Sequence, residues 1–364
     1  MSVKEKKALV AMSGGVDSSV AAYLMKEQGY EVIGVSMHLV SCHRSTGKSC
    51  CSASDRSDAR DVCTTLGIPH YTLDYRREFQ QKVIQPFIAS YARGRTPIPC
   101  TSCNAELKFS AFFEDMRARD AKVIATGHYA RVSLDRSGAY RLFRGSDDAK
   151  DQSYYLFQLT QDELKHLAFP LGDLTKQDVR RIAREQGFIT QDKPESQEIC
   201  FVPDDDYVAF VEQNGAHLLQ GEGNFVDLQG NILGKHAGIH AYTVGQRRGL
   251  GISRGERMFV VEIRAQQNEV VLGTKSNVMR REMEVRGLHW VCWQKEKQMG
   301  EEQYFERPVH VRIRSQHPPA KAFITPTGER SISVRFEDPQ CAITPGQAAV
   351  IYDGDEVLGG GWIQ

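Results

Sequence analysis

Residues 8–29 read ALVAMSGGVDSSVAAYLMKEQG, and their order decides the fold. Five apolar residues, Ala8 to Met12, predict a buried strand. Val20, Ala21, Leu24 and Met25 then fall on one stripe of a helix that stops at Gly29. Between the two, Ser13-Gly14-Gly15 sits where open parallel sheets bind anions with the backbone N–H groups of a helix N-terminus. The stretch is neither G-x-x-x-x-G-K, so it brings no lysine to the β- and γ-phosphates, nor G-x-G-x-x-G. It offers a nest of small donors, Ser13, Gly14, Gly15, Ser18 and Ser19, with Asp17 as a direct or indirect Mg²⁺ contact. Such a nest suits a phosphate monoester or a diphosphate, and a tight turn with a serine cap is the plain structural alternative.

The chain has 364 residues, a length for about two to three domains. Lys plus Arg and Asp plus Glu both number 46, so net charge neither demands nor excludes a nucleic-acid partner, and any basic surface must be local. The run Ala8–Met12 is too short for a signal peptide or a membrane span. The expectation is therefore a cytoplasmic protein with no membrane partner. In that reducing compartment nine cysteines are not expected to build a disulfide framework.

Strands and helices alternate after the first unit. Glu31–Val35 predicts a second strand, and Asp58–Leu66 a helix whose stripe includes Cys63. GIPHYTLD gives a turn and a third strand; Ala105, Phe109, Phe112 and Met116 mark another helix before a strand at Lys122–Thr126. This argues a parallel sheet covered on both faces. Val132–Phe143 reads as a hairpin at the sheet's edge, and Thr175 with Asp178 as a capping box. Glycine is dense from Gly221 to Gly255, the texture of a small separate module. From about Met258 onward short β runs favour a barrel or sandwich. The expected division is 1–205, a catalytic domain; 206–275, a central RNA-binding module; and 276–364, a C-terminal β-barrel.

Ser-Gly-Gly-x-Asp-Ser after a first strand resembles the signature of N-type ATP pyrophosphatases. These split ATP between the α and β phosphates and pass AMP to an oxygen of the substrate. Further stretches resemble one family within them, the tRNA-specific 2-thiouridylases: CCSASDRSDARDVCTTLGIPHYTLD, TPIPCTSCNAELKF, ATGHYARV, KDQSYYLFQL, ESQEICFVPDDDY, HAYTVGQRRGLGI, VRFEDPQCAITPGQAAVIYDG and LGGGW. The resemblance covers nearly the whole chain. It implies an α/β fold, with a parallel-sheet ATP pyrophosphatase domain, a small central RNA-binding module and a C-terminal β-barrel. It also implies adenylation of O2 of wobble uridine 34 in tRNAs for Lys, Glu and Gln, followed by replacement of that oxygen with sulfur.

By that resemblance ATP is met by Ala11, Met12, Ser13, Gly14, Gly15, Val16, Asp17 and Ser18, and by Met37 and Gly127. The target base lies near Pro97, Ile98 and Pro99, and the tRNA near Lys150, Asp151, Gln152, Arg314 and Ser315. His128 is given no chemical role. Cys200 would carry a persulfide from a relay protein or other donor, and Cys103 would release the sulfur, leaving a Cys103–Cys200 disulfide. Core packing is the alternative for Met37.

One position departs from the family. Where many members have Asp in a pattern like N-P-D-x-x-C-N, this chain has Cys100, giving Cys100-x-x-Cys103-Asn104. Three readings stay open: redox chemistry with Cys100 as a resolving thiol, a zinc site with His128 or Cys50, or a [4Fe–4S] cluster held by Cys100, Cys103 and Cys200. Cys50 and Cys51 read as structural, Cys63 as core, and Cys42, Cys292 and Cys341 show no pairing pattern.

Between Lys235 and Arg257 stand Lys235, Arg247, Arg248, Arg254 and Arg257 against Glu256 alone, a basic glycine-rich stretch suited to a phosphate backbone. Arg312, Arg314 and Lys321 are candidate backbone contacts in the last domain. The wobble base must leave its stack to react, at modest cost in a single-stranded loop. Two rivals remain: the same ATP chemistry on another acceptor, and a non-enzymatic tRNA-binding or sulfur-carrier protein.

Overall fold

Ala8, Leu9 and Val10 are all fully buried in β1 (Lys7–Ala11), the mark of a strand covered on both faces. The computed structural model describes residues 6–40, 53–195, 199–252, 255–291, 305 and 307–364. Cys42, Cys50, Cys51, Arg254 and Cys292 lie outside the described residues. The chain divides into two compact units: residues up to Val83 with Cys100–Asp205 and Asp355–Val357, and Ile84–Pro99 with Asp206–Gly354 and Leu358–Gln364.

In the first unit β1 is followed by α1 (Val16–Glu27), β2 (Glu31–His38), α2 (Ala53–Leu66), β3 (His70–Asp74) and the short α3 (Arg76–Phe79). A helix of the other unit, α4 (Gln85–Ala92), intervenes. A continuous helical run follows: α5 (Pro99–Ser102), a wide-turned π stretch (Cys103–Phe109) and α6 (Ser110–Ala118). Then come β4 (Val123–Ala125), β5 (Ala130–Leu134), β6 (Tyr140–Arg144), α7 (Gln161–Leu164), β7 (Leu167–Ala168) and α8 (Lys176–Glu185). Five strands form one parallel sheet in the order β3-β2-β1-β4-β7, registered by pairs such as Leu9 with Ile33 and with Ile124.

Alternation divides the side chains between the two faces. Ala8, Val10 and Val32 join Val20, Met25, Val62, Cys63, Val179 and Phe188 in a core built with α1, α2 and α8. Leu9, Ile33 and Ile124 fall on the opposite face, and α6 packs on β4. The capping box of α8 is present with both bonds, Thr175 Oγ1 accepting from Asp178 N–H and Asp178 accepting from Thr175 N–H.

The hairpin expected at the sheet's edge requires correction. It forms, as β5 and β6, but the edge of the parallel sheet is β7, which pairs with β4. Phe143 of β6 instead pairs with Glu356 of the last strand, where Arg141 also reaches Glu356 and Arg144 lies near Asp355. An antiparallel partner and complementary charge draw the hairpin away.

In the second unit α4 packs on α9 (Tyr207–Gly215), with Tyr91 stacked on Tyr207 at 4.6 Å between ring centroids. β8 (Gly223–Val226), β9 (Ile232–His236), β10 (Phe259–Arg264) and β11 (Glu269–Gly273) form a four-stranded sheet over Phe225, Ile239, Val260, Val270 and Leu272. β12 (Met279–Trp290), β13 (Val309–Arg312), β14 (Ala320–Gly328), β15 (Ser331–Cys341), β16 (Ala348–Asp353) and β17 (Glu356–Ile363) close into a barrel. The order is β12-β15-β14-β13-β16-β17, and Val285 of β12 meets Ile363 of β17. Thr96 joins these parts: its N–H donates to Pro345, its carbonyl accepts from Gln347, and its hydroxyl meets Thr243.

Candidate active site

The strand order reverses beside β1, so the crevice where such sheets take ligands opens at the carboxyl ends of β1 and β4. Those ends carry Met12–Gly15 and Thr126–His128. Gly14 has φ +76°, and a Cβ there would stand 2.1 Å from the Asp55 carbonyl oxygen. Only glycine fits. A Cβ on Gly127 would meet Ser18 N at 2.9 Å, so the β4 end lies directly on the start of α1.

Ser18 and Ser19 are buried, and both hydroxyls donate to the Gly15 carbonyl, at 3.0 and 2.9 Å. These two serines build the loop, and what remains for an anion is the exposed Ser13 and the backbone. Gly15 occupies the N-cap with no side-chain cap, leaving the first turn of α1 as the anion-facing surface. Met12 and Met37 are buried at the ends of β1 and β2, with Met12 N–H bonded to Val35. His128 is hydrogen-bonded to Thr126 at 2.7 Å between the rings of Phe109 and Phe169. Burial, with Lys108 adding to it, lowers its pKa to about 3. It braces the loop as a neutral ring.

Asp17 is held from two sides. Tyr129 donates its hydroxyl at 2.9 Å, and Lys176 Nζ meets both carboxylate oxygens at 2.8 Å. Both oxygens are thus taken by the Lys176 ammonium, which a Mg²⁺ ion at Asp17 would have to displace. Lys176 also meets Glu195 at 3.0 Å, and the other Glu195 oxygen takes Lys150 at 2.6 Å. Burial alone would raise the Glu195 pKa, but the two lysines outweigh it and the shift is downward. Neither Lys176 nor Glu195 was singled out by the sequence, which contains no local signal for partners 159 residues apart.

Cys103 opens the π stretch and is buried, whereas Cys100, three positions earlier, is exposed. Cys200 is half-buried. The π stretch packs on α3, and Phe201, adjacent to Cys200, sets its ring edge-on against Phe79 of α3 at 5.5 Å. One short helix thus underlies both elements. Among the described residues no group of three or more His, Cys, Asp or Glu side chains is placed to hold a metal ion, so neither the cluster nor the zinc reading has a gathered donor set. Cys63 is core, its thiol pushed up to about 12 by burial.

Of the residues expected against tRNA, Asp151 is buried and caps the N–H groups of Gly145 and Ser153. Gln152 clasps Tyr129 through its side-chain oxygen and its backbone N–H. In the other unit Ile98 and Pro99 are buried and Pro97 half-buried. Arg247 and Arg248 are exposed on a turn that Gln246 braces by accepting from Thr243 N–H. Arg314 is exposed and Ser315 partly so. Arg312 is buried and donates to the Ser315 carbonyl, a structural bond rather than a surface contact.

The fold and loop define a nucleotide-binding α/β domain joined to two β modules. Residues 6–204 match the family model described as the tRNA methyl transferase HUP domain, 210–274 the tRNA methyl transferase PRC-barrel domain, and 280–363 the aminomethyltransferase beta-barrel domain. The tRNA-specific 2-thiouridylase MnmA of Geotalea uraniireducens (strain Rf4) is 45% identical over 368 residues, covering 99% of this chain and 96% of that one. Its counterpart from Carboxydothermus hydrogenoformans is 46% identical over 367 residues, covering 100% and 98%. That of Clostridioides difficile (strain 630) is 45% identical over 364 residues, covering 99% and 98%. The chain belongs to the tRNA-specific 2-thiouridylase family.

Proposed function

We propose that the protein is a sulfurtransferase that uses ATP to 2-thiolate wobble uridine 34 in tRNAs for lysine, glutamate and glutamine, with Cys200 and Cys103 as the sulfur-handling pair. The observation that carries this reading is α3, which lies beneath the Cys103 helix and beneath Phe201, in the same unit as the glycine loop. Two cysteines whose elements share one support, in the unit that carries the glycine loop, suit sulfur transfer to an activated base. The models' methyl-transferase wording is outweighed by near-complete overlap with proteins named as 2-thiouridylases.

A pyrimidine carbonyl oxygen leaves poorly. Transfer of AMP to uridine O2, with diphosphate leaving, makes it a leaving group. The terminal sulfur of a Cys200 persulfide attacks C2 and AMP departs with the oxygen. The Cys103 thiolate then attacks Cys200 Sγ, leaving the outer sulfur on C2 and a Cys103–Cys200 disulfide, which an external dithiol reduces. Mg²⁺ held at Asp17 would neutralise phosphate charge. Ala11–Ser18, Met37 and Gly127 line the ATP site; the Pro97–Pro99 segment lies near the target base, and Lys150, Arg247, Arg248, Arg314 and Ser315 face RNA, with Asp151 and Gln152 holding the loop that presents Lys150. The segments 1–205, 206–275 and 276–364 divide this work between catalysis, RNA binding and a second clamp. A cytoplasmic persulfide relay supplies the sulfur.

The test is nucleoside mass spectrometry on unmodified lysine tRNA after anaerobic incubation with ATP, Mg²⁺, a persulfide donor and reductant. We expect 2-thiouridine together with AMP and diphosphate, with the 2-thiouridine abolished by Cys200→Ser. Diphosphate release without thiolated product would point to another acceptor. No diphosphate release at all would leave only a carrier.

A further inference from the structure

We propose that Glu195 is a positioning residue that couples RNA engagement at Lys150 to the nucleotide loop through Lys176 and Asp17. The inference rests on the reading of Lys150 as an RNA contact. Its physical basis is an unbroken alternation of charge: Asp17, Lys176, Glu195 and Lys150, with successive contacts of 2.8, 3.0 and 2.6 Å.

Lys176 stands in an unfavourable place. It is the first residue of α8, at the positive end of the helix, and is only 8% exposed. The helix does not need its charge there, because Thr175 and Asp178 form the capping box and Asp147 accepts the Lys176 N–H. A buried cation that breaks local preference is held for its partners. Those partners are Asp17 in the first turn of α1 and Glu195, five residues before Cys200.

Glu195 divides its two oxygens between the buried ammonium and that of Lys150, which is 31% exposed. An RNA phosphate that engages Lys150 takes one cation from Glu195. Its carboxylate charge then acts on Lys176 alone, drawing that ammonium from Asp17 and freeing Asp17 for the cation that accompanies a triphosphate. In the other direction, a cation on Asp17 repels Lys176 toward Glu195 and loosens Lys150 for RNA. Nucleotide and RNA therefore strengthen each other's binding by one common factor.

The experiment measures the affinity of the full-length protein for unmodified lysine tRNA with and without Mg²⁺ and α,β-methylene ATP. We expect a strengthening of at least about 5-fold in the unaltered protein, the lower end for allosteric coupling. In Glu195→Gln, which keeps size and hydrogen bonding but removes the charge, the ratio should fall to about 1 while tRNA still binds. Should that variant not fold, Lys150→Gln cuts the same chain at its outer end and should flatten the ratio too. A ratio of 1 in the unaltered protein, or an undiminished ratio in Glu195→Gln, overturns the coupling. If Lys150→Gln binds tRNA as tightly as before without nucleotide, it is the RNA contact at Lys150 that fails. The thiolation reading is decided separately by the nucleoside product.

Discussion

Lys193 Nζ donates to the carbonyl oxygen of Gly14 at 2.9 Å, so the segment that follows α8 grips the glycine loop directly. The same ammonium meets Asp55 at 2.6 Å and Asp58 closer still, which fastens the first turns of α2 to the same point. Burial opposes its charge, but the two aspartates outweigh that, and the Lys193 pKa is raised. A raised folded-state value means the contribution is present at neutral pH and is lost only as pH rises into the alkaline range. Lys193→Met leaves two carboxylates facing each other and should cost about 1–3 kcal/mol. It should also raise the KM for ATP. Thermal unfolding with and without Mg·ATP checks this; an unchanged melting temperature and KM would mean that the clamp contributes nothing.

Gly14→Ala imposes both a left-handed backbone and a collision with the Asp55 carbonyl. About 3 kcal/mol or more is expected, with ATP binding lost. Gly127→Ala separates the two effects, since its Cβ presses on Ser18 N without a positive φ. It should weaken ATP binding while costing less stability. Isothermal titration beside chemical denaturation measures both.

The contrast explains what was legible in the sequence. β1, the loop, α1 and the Thr175–Asp178 box follow from neighbours in sequence, and each is present as read. The π stretch from Cys103 replaces part of an expected α-helix, a change of winding that the apolar spacing does not signal. β7 is only two residues, too short for a periodicity. Ser18 looked like a ligand donor, but whether its hydroxyl turns inward depends on the Gly15 carbonyl three residues back. Lys176, Lys193 and Glu195 acquire their roles only when the chain has folded.

Burial lowers the pKa of His236, helped by nearby His240; the ring is 3% exposed beside Phe225 and Tyr242. Because the folded value lies below the unfolded one, acid binds the unfolded chain first. Stability is full above about pH 6.5 and falls as pH drops below it, by at most about 1.4 kcal/mol per pH unit for each such histidine. Hydrogen-exchange protection in β8–β11, taken relative to the intrinsic exchange rate at each pH, should therefore fall between pH 7 and 5.5, and His236→Phe should flatten that dependence. An equal loss of protection in the variant would remove His236 as the cause.

Arg247 and Arg248 are exposed on a turn fixed by Gln246, so changing both to alanine should leave the fold intact. If both meet phosphates, tRNA affinity falls and the slope of log affinity against log salt lessens by about 1 to 2. Filter binding across a salt series reads this, with circular dichroism as the control. Weaker binding at an unchanged slope would indicate loss of a base or shape contact instead.

Cys100 offers the sharpest division between chemistries. It is exposed while Cys103 is buried, although they stand three residues apart, and no metal-holding group is assembled among the described residues. A persulfide–disulfide exchange needs Cys200 and Cys103 and no third thiol. Cys100→Ser should accordingly retain thiolation within about tenfold, a change of no more than roughly 1.4 kcal/mol in barrier, whereas Cys103→Ser and Cys200→Ser abolish it. A three-thiolate cluster requires the opposite, since losing one ligand removes the cluster along with the activity. Anaerobic assays of chelator-stripped and iron-reconstituted samples discriminate further. Product from stripped Cys100→Ser enzyme is reached only through protein sulfur, whereas product that appears only after iron reconstitution of the unaltered chain assigns Cys100 to a cluster that forms with its metal.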